Sequence, residues 1–421
     1  MLFASRRQFC RLGGAATLLV GLGAEPALAL TSASASADGL ELAAIERPRV
    51  LAAAEHYLRI APVTITAFPA PRAKDGEGGR HDYFSEGDYW WPNPRDPNGP
   101  YVRRDGQSNP ANFTAHRRAL IAFSVQAASL AAAWRLTGEA RFARHAARHL
   151  RAWFVDPATH MNPNLQYAQA IHGISTGRSI GIIDTIHLVE VARSAQLLSE
   201  GHALPASEDR AVRAWFTDYT TWLTTSRHGI AEREAKNNHG TCWVVQVAAF
   251  AAYLARGDWL KYCGQRFQTV LVPRQMAPNG SFPLELRRTK PYGYSLFNLD
   301  MMAAACQILS MNGVGVAVAP SPAGLWPFQL PDGCGMRRAM EFMVPYVENK
   351  RSWPYPPDVM YFDDWPVRQP SLLFAGLAYG QSRYLALWRR LNPDPTVEEV
   401  LRNFPIRQPL LWISPQRRLH S

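Results

Sequence analysis

Apolar residues recur at intervals of three and four along most of the chain after residue 114, and this period most constrains the fold. It is typical of α-helices that each bury one face. Few stretches show the alternation or the β-branched density of strands, and only residues 281–286 resemble a short strand. The sequence therefore predicts an all-α fold. The helical segments are 115–137, 139–154, 184–200, 207–226, 241–255, 258–271, 295–311, 335–347, 370–379 and 382–391.

A weak internal repeat suggests how these helices connect. Residues 135–142, 254–261 and 377–384 each hold an apolar helix end, a glycine and then a polar helix start. Gly138, Gly257 and Gly380 are expected to end helices, since glycine readily adopts the left-handed conformation that a helix end requires. Helical hairpins bury their apolar faces by stacking. Such a stack either closes into an α/α toroid around a groove, which we predict, or stays an open solenoid.

The N-terminus has the features of an export signal. Arg6 and Arg7 precede an apolar run over residues 13–23, and the triplet Ala-Leu-Ala occupies residues 27–29. This is the twin-arginine pattern followed by a cleavage motif. A membrane anchor is the alternative, but the run is too short to span a bilayer. We predict that residues 1–29 are removed, and that residues 30–421 form one domain in the periplasm or outside the cell.

The formal net charge is +11, and a basic surface attracts polyanions such as nucleic acids, anionic membranes and acidic polysaccharides. No run of five or more Lys and Arg is present, which argues against a nucleic-acid-binding arm. We predict no membrane partner after signal removal. The cysteines Cys242, Cys263, Cys306 and Cys334 show neither C-x-x-C pairing nor zinc-ligand spacing and are expected to be buried free thiols.

Two polar and aromatic stretches fall where a helical core would not need them. The first, residues 81–94, contains Trp90 and Trp91 within a long loop region, 66–112, that also holds Arg103. Tryptophans at a groove rim can stack on sugars, and arginine pairs with carboxylates. The second, residues 164–184, is dense in amides and glycines and carries one arginine, a mixture suited to sugar hydroxyls and carboxylates. Alternatively, the first stretch is a loop whose aromatic side chains pack on the rest of the protein, and the second is a polar turn between helices.

Two further stretches lie beside apolar helices. Residues 236–243 read K-N-N-H-G-T-C-W, where an asparagine can cap the helix or, with the helix dipole, help to bind a carboxylate. Residues 284–298 place Arg287, Arg288 and Lys290 just before Tyr292 and Tyr294. Nearby positive charge favours phenolate, so the pKa of such a tyrosine is expected to be lowered. Alternatively, this is a solvated basic turn beside core tyrosines.

Together the four stretches resemble the alginate-lyase domain family, in particular its branch of bacterial and fungal mannuronan and glucuronan lyases, from about Asp82 to about Trp353. The resemblance implies an α/α toroid and cleavage of an acidic β-1,4-linked polyuronate by β-elimination. It assigns catalysis to Asn238, His239, Tyr294 and an arginine, which we take as Arg288 rather than Arg287. The residues predicted to bind substrate are Tyr89, Trp90, Trp91, Arg103, Gln169, His172, Arg178, Lys236, Asn237, Arg287, Lys290 and Tyr292.

The implied chemistry fits these residue types. The amide and guanidinium would neutralise the uronate carboxylate, His239 or Tyr294 would remove the adjacent proton, and Tyr294 would protonate the leaving oxygen. No metal or cofactor is predicted. A glycoside hydrolase is the first alternative and would need two facing carboxylates. The acidic residues available for such a pair are Asp82, Asp88, Asp184, Glu285 and Asp300. A non-catalytic polysaccharide-binding protein is the second alternative, and the oligomeric state is not predicted.

Overall fold

The predicted helices are present in the structure, a computed structural model that describes residues 26–70, 78–316 and 324–413, with side chains from Glu41 onward. The all-α prediction is confirmed. Within those residues fifteen α-helices follow one another: α1 Pro26–Tyr57, α2 Ala115–Thr137, α3 Ala140–Phe154, α4 Leu188–Glu200, α5 Ala206–Thr225, α6 Arg227–Arg233, α7 Asn238–Tyr253, α8 Gly257–Arg266, α9 Val272–Gln275, α10 Pro283–Leu286, α11 Pro291–Met311, α12 Met336–Glu348, α13 Pro370–Tyr379, α14 Ser382–Arg390 and α15 Glu398–Arg402.

The helices form two layers around a groove. The inner layer contains α2, α4, α7, α11 and α13, each packed on the next, and the outer layer includes α3, α5, α8, α12 and α14. Inner helices such as α7 are apolar on nearly all sides and almost completely buried, as expected for a helix enclosed by neighbours. Outer helices such as α3 bury one face and expose a row of arginines. This arrangement is the predicted α/α toroid.

Two of the three glycines that the internal repeat predicts to end helices do so. Gly138 and Gly380 end α2 and α13 with positive φ angles of 74° and 63°. The expectation for Gly257 is wrong, because Gly257 begins α8 and the left-handed residue of that turn is Ala255, with φ 57°.

Four short strands were not predicted: β1 Phe84–Glu86, β2 Trp90–Trp91, β3 Val102–Arg103 and β4 Tyr167–Ala170. β1 pairs with β4 in parallel, and β2 pairs with β3 antiparallel. The first pairing joins the loop region 66–112 to the polar stretch 164–184, so two of the four predicted functional stretches lie side by side. Residues 281–286, which resemble a strand in sequence, contain the helical turn α10 instead.

The export signal is largely untested by the fold. Arg6, Arg7 and the apolar run 13–23 lie outside the described residues, while α1 begins at Pro26, before the predicted cleavage site. In the described part of the chain, one helix, α2, is long and apolar enough to cross a membrane, but 67% of its most apolar window is buried inside the fold, which makes it weak evidence for a span. The four cysteines are free and buried, as predicted.

Candidate active site

A pocket of about 320 Å³ opens where the first turns of α7 and α11 face the strands β2 and β4. It brings together ten of the sixteen residues that the sequence singled out. Those ten are Tyr89, Trp90, Arg103, Gln169, Arg178, Asn237, Asn238, His239, Arg288 and Tyr294. The amide, imidazole, guanidinium and phenol named as catalytic therefore border one cavity.

Asn238 is fixed by a buried carboxylate. Its backbone N–H and its side-chain Nδ2 both donate to Glu285, at 2.8 Å each. Asn237 occupies the N-cap position of α7, but its side chain makes no capping hydrogen bond. The simple capping interpretation of this pair is therefore wrong. Because Glu285 takes one Nδ2 hydrogen, the second and the amide oxygen are left for a ligand.

His239 is held by a carboxylate behind it. Its Nδ1 lies 2.7 Å from Oε1 of Glu232, whose side chain is completely buried. With Nδ1 engaged, Nε2 is the ring nitrogen available to a ligand in the pocket. A carboxylate at Nδ1 also stabilises the imidazolium that forms when Nε2 accepts a proton, as in other histidine bases.

Tyr294 is a neutral phenol. Its Oη lies 2.7 Å from Oη of Tyr89, which also accepts a hydrogen bond of 3.1 Å from Arg402. Burial raises the pKa of Tyr294 well above its ordinary value and the neighbouring Tyr89 adds to this, while Arg288 acts in the opposite direction. The predicted lowering of this pKa is wrong, because desolvation outweighs the nearby cation.

Arg288 is positioned by an aspartate of the loop region. Its guanidinium stacks 4.6 Å from the centre of the Tyr294 ring and donates to Asp105 through Nε and Nη2, at 3.1 and 2.9 Å. Arg103 also donates to Asp105, at 2.6 Å. Burial disfavours the ionised carboxylate, but these hydrogen bonds outweigh it and lower the pKa of Asp105 to about 2. One carboxylate thus orients two arginines and leaves a net positive charge at the pocket.

The opposite wall is built by the residues around β4. Gln169 has a positive φ of 51°, uncommon for a residue with a side chain, and accepts hydrogen bonds from Arg178 at its backbone and side-chain oxygens. Arg178 also lies 5.8 Å over the Trp90 ring. Burial, with repulsion from Arg103, lowers the pKa of Arg178 to about 10, so this guanidinium remains charged at neutral pH.

The pocket floor holds charged residues that the sequence analysis did not predict to bind substrate. Asp88 accepts two hydrogen bonds from Arg117, at 2.6 and 2.9 Å, and lies 2.7 Å from Arg402. Burial disfavours its ionised form, but the two arginines dominate and lower the pKa of Asp88 to about 2. Asp88 stands next to Tyr89 within a stretch already singled out, whereas no motif points to Arg402. The remaining lining residues not predicted to bind are Ile180, Ile183, Asp184, His187, Phe297 and Asn403.

Three predicted binding residues lie outside the pocket. For Tyr292 in α11 and Trp91 in β2 the reason is that neighbours in a helix or strand point in different directions. Tyr292 is completely buried and donates to the backbone oxygen of Tyr346. Trp91 donates to the backbone of Gln107 outside the pocket, although Trp90 lines it. His172 is exposed and packs against Tyr101.

Three basic residues that were predicted to bind substrate also lie outside the pocket. Lys290 is buried outside the pocket lining and forms a salt bridge of 2.7 Å with Glu399. Lys236 and Arg287 are exposed and line a neighbouring groove. Among the residues that the structure describes, no group of three or more His, Cys, Asp or Glu side chains is placed to hold a metal ion.

Charge distinguishes the possible chemistries. Of the residues described, five arginines and two aspartates line the pocket, which favours an anionic ligand. Asp88 is held ionised by Arg117 and Arg402, and Asp184 accepts hydrogen bonds from Ser85, Tyr83 and Gln169. A glycosidase needs one carboxyl group that keeps a proton to donate. Asp88 cannot serve as that proton donor near neutral pH, because its pKa is about 2.

A toroid of helical hairpins with an arginine-lined pocket holding Asn, His and Tyr matches a known class of enzymes. The family profile for alginate lyases matches residues 68–353, and the chain belongs to the alginate lyase family. It is a polysaccharide lyase.

Solved structures show the same fold. An alginate lyase from Bacteroides ovatus is 29% identical, with a TM-score of 0.75, covering 92% of this chain and 98% of that one. A variant of alginate lyase A1-III complexed with a tetrasaccharide is 15% identical, with a TM-score of 0.53, covering 87% and 95%. No curated protein matches the chain.

Proposed function

We propose that this enzyme cleaves a β-1,4-linked polyuronate, either the mannuronan of alginate or glucuronan, by β-elimination. The observation that carries the proposal is the convergence of Asn238, His239, Arg288 and Tyr294 on one pocket rich in arginine. The similar lyase A1-III was solved with a bound tetrasaccharide, and an oligosaccharide is the kind of ligand that this groove would take.

Neutralising the carboxylate is the first requirement of the reaction. The proton next to the uronate carboxyl is weakly acidic, and its removal places a second negative charge on that group. Arg288 supplies positive charge, and the free amide hydrogen of Asn238 supplies a hydrogen bond. Because Asp105 and Glu285 hold both side chains in place beforehand, little reorganisation is needed when the charge develops.

The two proton transfers are assigned to different side chains. We assign the base to His239, because Glu232 engages Nδ1 and stabilises the imidazolium. We assign the acid to Tyr294, because its raised pKa keeps the phenol protonated and ready to donate to the leaving oxygen. The C–O bond to the leaving sugar breaks as the double bond forms in the sugar that lost the proton.

The test is an assay of the purified protein on polymannuronate, polyguluronate and glucuronan. A lyase creates a conjugated unsaturated uronate, and ultraviolet absorbance should rise in step with new reducing ends. New reducing ends without this absorbance would indicate a hydrolase. Binding to the polymers without either signal would indicate a non-catalytic binding protein.

Replacing His239 by alanine is expected to lower kcat by about 10² to 10⁴-fold, the usual contribution of a general base. KM should change little, because Arg288 and the other arginines still hold the substrate. Imidazole added to the buffer should restore part of the rate, because it can occupy the vacated space and accept the proton. A variant that keeps activity within a few-fold of the parent, or that imidazole does not rescue, contradicts the assignment of the base.

We also propose export through the twin-arginine route, on the evidence of Arg6, Arg7 and the Ala-Leu-Ala motif at residues 27–29. Fractionation of producing cells and N-terminal sequencing of the protein test this. Retention of full-length protein in the cytoplasm would refute it.

A further inference from the structure

A second groove, of about 480 Å³, lies beside the catalytic pocket. Three cations line it: Lys236, Arg274 and Arg287. Its remaining lining is apolar and consists of Met276, Pro283 and Leu284. We call this the cationic groove. Basic side chains around an apolar surface suit a sugar ring that carries a carboxylate, because the ring has an apolar face and the charge lies at its edge.

The three cations have no internal anion to balance them. All three side chains are exposed, and no salt bridge or hydrogen bond from any of them occurs within the described part of the chain. Within the described part of the chain some other exposed arginines, such as Arg144 and Arg210, are likewise without a salt bridge, but several pair with carboxylates. Such pairs are Arg103 with Asp105, Arg118 with Glu398, Arg141 with Glu55, Arg383 with Glu348 and Arg389 with Glu41.

The carboxylates closest in sequence to these cations are already occupied. Glu234 pairs with Arg233 and Arg266. Glu285 is buried, and both of its oxygens accept hydrogen bonds from Asn238. The positive charge of the cationic groove is therefore available to an external anion.

The cationic groove and the catalytic pocket are lined by neighbouring residues of the same two turns. Lys236 directly precedes Asn237, and Arg287 directly precedes Arg288, so each turn contributes one residue to the groove and the next to the pocket. The hydrogen bonds between Asn238 and Glu285 hold the two turns together. A linear anionic chain with its reacting unit in the pocket therefore has only the width of these two turns to cross before it reaches the groove.

We propose that the cationic groove is a distal subsite that binds further uronate units of the same polymer chain. The proposal rests on the proposed function and adds where the substrate extends beyond the reacting unit. It assigns Arg274 to substrate binding, a residue that no motif indicated. It also assigns Lys236 and Arg287 to binding of uronate units outside the catalytic pocket, whereas Arg288 acts on the reacting unit.

The experiment compares the parent with the triple variant K236Q/R274Q/R287Q, using a long polyuronate and a purified trisaccharide as substrates. KM for the polymer should rise about tenfold, as three exposed ion pairs together would give, with little change in kcat. KM for the trisaccharide should stay within about twofold, since a short chain does not need the distal subsite. The salt dependence of KM for the polymer should also be weaker in the variant.

The matched control is R144Q/R210Q/K261Q, which removes the same number and kinds of charge from exposed positions that line neither cavity. If the control raises KM for the polymer as much as the test variant does, overall charge is responsible and the subsite is refuted. An unchanged KM for the polymer in the test variant refutes it as well. A parent inactive on every polyuronate refutes the proposed function instead, and the two failures are thereby distinguished.

Discussion

Tyr294→Phe should lower kcat on the polyuronate substrate by about 10³-fold or more, because it removes the proton donor and, besides that, only the hydrogen bond to Tyr89. The phenol lies in the first turns of α11 with its ring under Arg288 and its Oη against Tyr89. Phenylalanine preserves the ring, its packing and its contact with the guanidinium. KM and the thermal unfolding midpoint should therefore change little, and the loss should appear in the formation of unsaturated product.

Tyr89→Phe is the matched control for Tyr294→Phe. It removes the other half of the same 2.7 Å hydrogen bond but leaves the proposed acid in place. We expect it to lower kcat far less, by about tenfold, which corresponds to the loss of one hydrogen bond to a charged or reacting group. If the two variants lose activity equally, Tyr294 acts only through its link to Tyr89. If Tyr294→Phe retains a tenth of the parental rate, another group protonates the leaving oxygen.

Much of the fold could be predicted because burial sets the apolar period directly. α2 and α13 have the predicted bounds, since both are apolar helices ended by a glycine in the left-handed conformation. α7 and α11 begin three and four residues earlier than predicted. Their first turns carry Asn238 and Tyr294, which face the pocket and so interrupt the apolar pattern.

Some wrong predictions at the site could have been avoided by considering in which direction each side chain leaves its helix or strand. Tyr292 and Tyr294 are two positions apart on one helix, about 200° around its axis, so they cannot both face the pocket. Trp90 and Trp91 are adjacent in a strand and point to opposite faces. In each pair one residue lines the pocket and the other does not.

Other features depend on contacts between distant parts of the chain. Arg402 donates a hydrogen bond to Tyr89, which lies 313 residues earlier in the chain. No local sequence pattern predicts this contact. The pKa of Tyr294 depends on whether burial or Arg288 dominates, which requires knowing how deep the ring lies. Sequence alone gives the types of group but not their degree of desolvation.

The charged floor of the pocket should contribute strongly to stability. Asp88, whose side chain is 10% exposed, holds both Arg117 and Arg402, which are 4% and 16% exposed. Asp88→Ala leaves two largely buried guanidinium groups without their main partner, and we expect it to lower the free energy of unfolding by about 3–5 kcal/mol. It should also impair catalysis, because Arg402 positions Tyr89 beside Tyr294.

Asp105→Ala is the control for Asp88→Ala, because Asp105 also bridges two arginines but is 24% exposed at its side chain. Water replaces much of what an exposed carboxylate provides, so the expected loss of stability is about 1 kcal/mol or less. Chemical unfolding of the three proteins at neutral pH gives the comparison. Equal losses in the two variants would show that burial does not strengthen the interaction at Asp88.

The pH dependence gives a second test of the same interaction. The pKa of Asp88 is lowered from 3.8 to about 2 in the folded protein, so the folded state binds a proton less readily than the unfolded state. The stabilisation from this group is complete above about pH 4 and is lost as the pH falls towards 2. The difference in unfolding free energy between the parent and Asp88→Ala should therefore narrow over that interval. A difference that stays constant down to pH 2 would mean that the ionised carboxylate is not what holds Arg117 and Arg402 in place.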